Sequence, residues 1–124
     1  MRYYLRSSLV DYSKMELHNE YHWVEDLLKH VKFPCHALLV ASSPDEIEKT
    51  RKYAQEIVDV MENQGLCLSG FDILDRNSAK RTKELVNKAD IIIAMGGHVP
   101  TQNAFFQEID LKKHLQDFNG LWIG

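Results

Sequence analysis

Two adjacent glycines, Gly96-Gly97, close the apolar run Ile91-Ile92-Ile93-Ala94-Met95 and are followed by His98-Val99-Pro100. Glycine lets the backbone turn sharply and approach a ligand closely with its N–H groups turned outward. A helix opening at Pro100 would add the positive end of its dipole, so this stretch could hold an anion or a developing oxyanion. The same residues would also serve a plain strand-to-helix turn that binds nothing. The run matches neither G-x-G-x-x-G nor G-x-x-x-x-G-K-[ST], so no nucleotide or other cofactor is implied.

The remaining chemistry-bearing residues sort by position. His18, His22, Asp26 and His30 recur at every fourth residue and could line one side of a helix as metal ligands. The spacing departs from H-E-x-x-H, and a solvated helix face is the preferred reading, so no metal site is expected. His98 follows the glycines and is a candidate for contact with substrate, whereas His36 and His114 carry no motif. Cys35 and Cys67 fall before or at the start of apolar segments and read as small buried hydrophobes rather than nucleophiles. Two cysteines are too few for a disulfide framework, which fits a reducing cytosol.

These residues need elements to position them. Tyr3-Tyr4-Leu5-Arg6 is β-prone and ends at Ser7-Ser8, and Leu9 to Leu17 reads as loop or a small hairpin. Asn19 can cap a helix whose apolar positions are Trp23, Leu27, Leu28 and Val31. Ala37 to Ala41 is an uninterrupted apolar strand ended by Ser42-Ser43. Ser43-Pro44-Asp45-Glu46 then combines a capping hydroxyl, a proline at the first helical position and a glutamate three residues after the cap. The helix it opens should run to about Asn63, burying Ile47, Ala54, Ile57, Val58 and Met61, and stop at Gly65. A strand from Leu68 to Leu74 ends at Asp75. Asn77 or Ser78 caps a short helix that buries Leu85 and Val86. Asp90 to Met95 is the fourth strand, Phe105, Ile109 and Leu115 line the helix begun at Pro100, and Gly120 precedes a fifth strand.

Strands alternating with helices imply crossover connections and a parallel sheet. The expected fold is α/β: a doubly wound, mostly parallel sheet in a three-layer α/β/α sandwich, formed by residues 1–124 as a single domain. In such sheets ligands bind beyond the carboxyl ends of the strands. Ser7-Ser8, Ser42-Ser43, Asp75-Arg76, Gly96-Gly97-His98 and Gly124 all fall there. With 44% hydrophobic and 27% charged residues and a net charge of −3, the chain has no basic field for nucleic acid and no run long enough to cross a bilayer.

Ala37 to Asp45, the strand end Asp72-Ile73-Leu74-Asp75 and above all Ala94-Met95-Gly96-Gly97-His98-Val99-Pro100-Thr101-Gln102-Asn103 resemble dipeptidase E-like serine peptidases. The similarity is greatest to a bacterial branch with a GGHVPTQN-type signature after its fourth strand. The resemblance implies a class I glutamine amidotransferase-like fold, akin to the flavodoxin-like arrangement, and hydrolysis of short peptides, commonly with an acidic first residue. Gly96 and Gly97 match the glycines whose backbone N–H groups help hold the oxyanion. His98, Thr101, Gln102 and Asn103 match residues that shape the substrate side of the pocket. Gly124 matches the first glycine of the family's Gly-x-Ser-Ala-Gly nucleophile turn.

On that alignment the nucleophilic serine falls two positions beyond Gly124, and the histidine and acidic partner lie further on. The expectation is therefore the N-terminal portion of a longer domain, truncated after the fifth strand and inactive as given. A non-catalytic domain binding a small anion or a protein partner is the alternative, and amidase or other acyl transfer a third reading. The codons after Gly124 separate the first two. An uncovered last strand would forfeit about 25 cal/mol per Å2 of apolar surface left in water and invite pairing, so a chain that is stable alone is expected to cover it as a homodimer.

Overall fold

A strand whose side chains are all apolar must be covered on both faces, and residues 37–40 and 91–93 are each at most 1% exposed. The computed structural model describes residues 2–4, 10–11, 13–17 and 23–124. In chain order the elements are β1 (Arg2–Tyr4), β2 (Val10–Asp11), β3 (Glu16–Leu17), α1 (Trp23–His30), β4 (Cys35–Val40), α2 (Ile47–Asn63), β5 (Leu68–Leu74), α3 (Thr82–Lys88), β6 (Ile91–Ala94), α4 (Val99–Glu108), α5 (Leu111–Leu115) and β7 (Leu121–Ile123). A single 3₁₀ turn at Ala79–Arg81 leads into α3.

The two-residue period of a strand divides the core in two. Cys35, Ala37 and Leu39 of β4, Ile91 and Ile93 of β6, and Leu121 and Ile123 of β7 pack on one face with Val24 and Leu27 of α1 and Ala54, Ile57, Val58 and Met61 of α2. Leu38, Val40 and Ile92 pack on the other face with Leu85 and Val86 of α3, Phe105 of α4 and Leu111 of α5. Full burial of each such Leu or Ile contributes about 1.5–3 kcal/mol. Helices therefore cover both sides of the sheet, giving the expected α/β three-layer sandwich.

The sheet has five strands in the order β1-β7-β6-β4-β5, and every pairing is parallel. Counting from β4, the run β5-β4-β6-β7 is the 2-1-3-4 order of a flavodoxin-like sheet, with β1 added beyond β7. The chain leaves β4 through α2 on one face and leaves β6 through α4 and α5 on the other. The point where the winding reverses therefore lies between the carboxyl ends of β4 and β6, which is where open α/β sheets form a crevice. A small antiparallel pair, β2 with β3, stands apart from this sheet. It is tied to the end of α2 by the Leu17 N–H, which donates to Gln64 Oε1 at 2.5 Å.

Several expectations need correction. The last strand is not uncovered: β7 is flanked by β6 and β1, its Leu121 and Ile123 are buried, and Trp122 meets Phe106 edge-on at 6.1 Å between ring centroids. The reason given for a homodimer over β7 is thereby removed. Ser43 does not cap α2, which begins only at Ile47. The Ser43 carbonyl accepts from the Glu46 N–H at 3.0 Å and the Thr50 hydroxyl at 3.3 Å, closing a separate turn ahead of the helix. Leu28 is 48% exposed, because an eight-residue helix buries one stripe and Leu27 occupies it. Cys67 is exposed, unlike Cys35. Asp110, in the left-handed conformation with φ of 53°, breaks the helix expected through Leu115 into α4 and α5. Ser7, Ser8, His18, Asn19 and His22 lie outside the described residues.

Because β7 has a hydrogen-bonded neighbour on each side, its amides should exchange with solvent far more slowly than those on the outer edge of β5. Hydrogen exchange followed by NMR checks this. Equal, fast exchange of Leu121 to Ile123 would show that β7 is an edge after all.

Candidate active site

The rim at the winding reversal is built from the two central strands. The Met95 N–H donates to the Val40 carbonyl at 2.9 Å, carrying the β4–β6 ladder to its last rung. One residue further, the Ser42 hydroxyl donates to the Gly96 carbonyl at 2.8 Å. Gly97 has φ of +156°, and a Cβ placed there would lie 2.7 Å from Ser42 Cβ and closer still to its Oγ. No side chain fits at that position. The glycine is required by close approach as well as by its backbone angle.

The trans peptide between Gly96 and Gly97 points its N–H opposite to its carbonyl. With that carbonyl engaged by Ser42, the Gly97 N–H faces away from Ser42. Both glycines are exposed, and among the described residues neither N–H has a hydrogen-bond partner.

His98 is the N-cap of α4. Its Nδ1 accepts from the Thr101 N–H at 3.3 Å and pairs with the Thr101 hydroxyl at 2.7 Å. With Nδ1 accepting from the backbone, the neutral ring carries its proton on Nε2, on an exposed imidazole. Gln102 donates from Nε2 to the Met95 carbonyl at 2.7 Å, and its own N–H reaches the His98 carbonyl at 3.1 Å. Thr101 and Gln102 therefore shape the turn itself, while His98 and Asn103 present polar atoms to solvent.

The flanks are structural. Asp75 is 4% exposed, and its Oδ1 accepts from the Asn77 N–H at 2.9 Å and the Ser78 N–H at 3.1 Å. Arg76 donates from Nε to Asp45 at 2.8 Å, pairs with Glu108 and lies 5.3 Å from the centre of the Phe105 ring. It thus ties the loop before α2 to the end of α4. Gly124 follows the Ile93↔Ile123 rung, and a Cβ there would lie 3.2 Å from Ala94 Cβ. Gly124 and the glycine pair accordingly occupy neighbouring strands at the same rim.

Two arrangements were not anticipated from the residue types. Ser42 figured only as a strand end, although a serine directly after the buried strand beside the winding reversal is the signal that finds it. His36, which belongs to no motif, places Nε2 2.7 Å from Asp72 Oδ2, with the Lys88 ammonium 3.7 Å from the same oxygen. The β4–β5 register sets His36 opposite Gly70, whose missing side chain leaves room for the imidazole. At the opposite rim an open cleft of about 970 Å3 is lined by Phe33, Asp90, Asp117 and Phe118 among others. It lies at the amino ends of β4, β6 and β7. Its Asp90 is already engaged, since Oδ2 accepts the His36 N–H at 2.8 Å and its carbonyl takes the Leu121 N–H at 3.0 Å. Among the described residues no cluster of three or more His, Cys, Asp or Glu side chains could hold a metal, and no helix is long and apolar enough to cross a membrane.

Comparison of the chain with protein-family models, with curated proteins and with solved structures gave no match.

Replacing Gly97 with alanine should force Ser42 aside and lower stability by about 1–3 kcal/mol, read as a lower urea midpoint with unchanged slope. An unchanged midpoint would mean the turn can relax at no cost. The cysteines give a second test. Burial, assisted by the negative charge of Asp90, raises the Cys35 thiol from 9.0 to about 11. At pH 8 a thiol-selective reagent should therefore modify Cys67 in the native protein and reach Cys35 only after denaturation. The folded pKa lies above the unfolded value, so this contribution to stability is intact below pH 9 and is lost as pH rises toward 11.

Proposed function

We propose that this chain forms the oxyanion-binding and substrate-facing half of a serine hydrolase site of the dipeptidase E-like kind, acting on short peptides in a reducing cytosol. The observation that carries the reading is the Gly96-Gly97 turn. Its carbonyl is held inward by Ser42, and its N–H groups stay unpaired at the rim where such sheets bind ligands. In this mechanism a serine in a strained strand-to-helix turn attacks the peptide carbonyl while a histidine removes its proton. The oxyanion is held by one N–H beside the serine and by another from Gly96 or Gly97. The family's nucleophile turn would begin at Gly124, on the strand beside the glycine pair. His98 and Asn103 would then face the substrate, and Thr101 and Gln102 would hold the turn in shape.

A second reading has its own support. Among the described residues the hydroxyls at this rim are committed to holding the turn, Ser42 on the Gly96 carbonyl and Thr101 on the His98 cap. The Ser42 proton goes to a backbone carbonyl and His98 Nδ1 is taken by Thr101. This favours a rim that binds a small anion or a partner without turning it over.

A fluorophosphonate probe separates the two readings. The 124-residue chain should remain unlabelled. A polypeptide extended through the codons that follow residue 124 should label at a serine of a Gly-x-Ser-Ala-Gly turn, and lose the label when that serine becomes alanine. Labelling within residues 1–124 would overturn the assignment of the nucleophile. Absence of such a turn from the reading frame would favour the binding reading.

A further inference from the structure

We infer that Ser42 is the positioning residue of this site: its hydroxyl, bonded to the Gly96 carbonyl, sets the direction in which the Gly97 N–H points. The inference rests on the acyl-transfer reading for its use, though not for its geometry. A glycine visits positive and negative φ with nearly equal ease, so the Gly96-Gly97 peptide has no orientation of its own. What fixes it is contact from outside. Ser42 donates to the Gly96 carbonyl at 2.8 Å and fills the space that a side chain on residue 97 would need. The preceding carbonyl, of Met95, is held in the same way by Gln102 from α4 at 2.7 Å. Two consecutive carbonyls of the turn are thus each taken by a side-chain donor, one from the end of β4 and one from α4. The glycine N–H groups are left to face outward.

An oxyanion donor works because its dipole is already aimed before charge develops, so no reorganisation is needed during the reaction. Ser42 supplies that aim. It is not a nucleophile in this arrangement, because its proton is directed at a carbonyl rather than a base.

The test uses the 15N-labelled 124-residue protein and its Ser42→Ala variant, with Ser42→Cys as a same-size, weaker donor should the alanine variant fail to fold. In the wild-type protein the Gly97 amide should have an order parameter of about 0.85, falling below about 0.6 in Ser42→Ala. The Gly97 and His98 resonances should shift while the β4 and β6 amides superimpose. Ser42→Cys should fall between the two. A Gly97 amide that stays equally ordered without the hydroxyl would overturn the inference. Inorganic phosphate, as a tetrahedral oxyanion, supplies the second arm. If it shifts the wild-type Gly97 amide and binds about tenfold more weakly to Ser42→Ala, both the inference and the acyl-transfer reading gain. If it leaves the wild-type rim untouched while Ser42→Ala still loosens Gly97, the positioning role of Ser42 stands and the acyl-transfer reading loses its oxyanion site.

Discussion

Everything at the rim depends on the parallel pairing of β4 with β6. Ser42 and Gly96 are 54 residues apart in the chain, and they meet because Ala37 to Val40 lie in register with Ile91 to Ala94. That register is held by burial on both faces. Shifting β6 by one residue would exchange Ile for Ile in mid-strand, but it would bring charged Asp90 or small Ala94 into a core place held by Ile91 or Ile93 and break the Asp90 bonds to His36 and Leu121. A two-sided core is therefore more than a source of stability. It fixes how far each strand extends past the last rung, and so which backbone groups of the two loops come face to face. The site lies where the winding reverses at this pair, and its polar contacts follow from the register.

Around that pair the polar groups fall into two sets. Those directed into the protein are satisfied: the Asp75 carboxylate by the amides of Asn77 and Ser78, the Met95 carbonyl by Gln102, and the Gly96 carbonyl by Ser42. No buried side-chain nitrogen or oxygen among the described residues lacks a partner. The groups left over at this rim are the N–H groups of the glycine pair, Nε2 of His98 and the Asn103 amide, all on exposed residues. An unpaired N–H costs little in water and much when buried. Donors left without a protein partner must therefore stay at the surface, as these do. The exposed ion pairs of Arg76 contribute little to stability individually, but they join the loop before α2 to the end of α4 and so frame the rim.

How much of this was legible in the sequence depends on whether the determining interaction was local. The strands at residues 37–41 and 91–95 declared themselves because burial on both faces makes every residue apolar. Gly65 declared the end of α2, and its φ of +86° is the left-handed value that glycine supplies. Ser43-Pro44-Asp45-Glu46 misled because a capping pattern competes with tertiary demands. Here the Arg76 N–H takes the Pro44 carbonyl at 3.0 Å and its side chain takes Asp45, so the segment is held as a turn of its own. The place of β1 beside β7 was hidden, since a parallel partner from the far end of the chain leaves no mark in either segment. The same holds for His36 with Asp72, and for Ser42 under Gly97. The glycine pair could be read, and Ser42 could be placed at the same rim; its contact with Gly96 could not, because only the β4–β6 register brings them together.

The scale of the sheet bears on the chemistry proposed. Neighbouring strands lie about 4.7–4.9 Å apart, and an oxyanion donor acts at about 2.7–3.1 Å from the oxygen it stabilises. On the acyl-transfer reading, a tetrahedral centre above the end of β7 would find its nearest donors on the adjacent strand, at the end of β6. Donors two strands away, at the end of β4, would be too distant to take part directly. This separates the parts that Ser42 and Gly97 can play. On that reading the strand beside the reacting centre would supply the amide, and the next strand over would act only by fixing that amide in place. Gly124 stands one residue past the Ile93↔Ile123 rung, level with Ala94 and two residues short of Gly96, so on that reading the division of labour would follow from strand order.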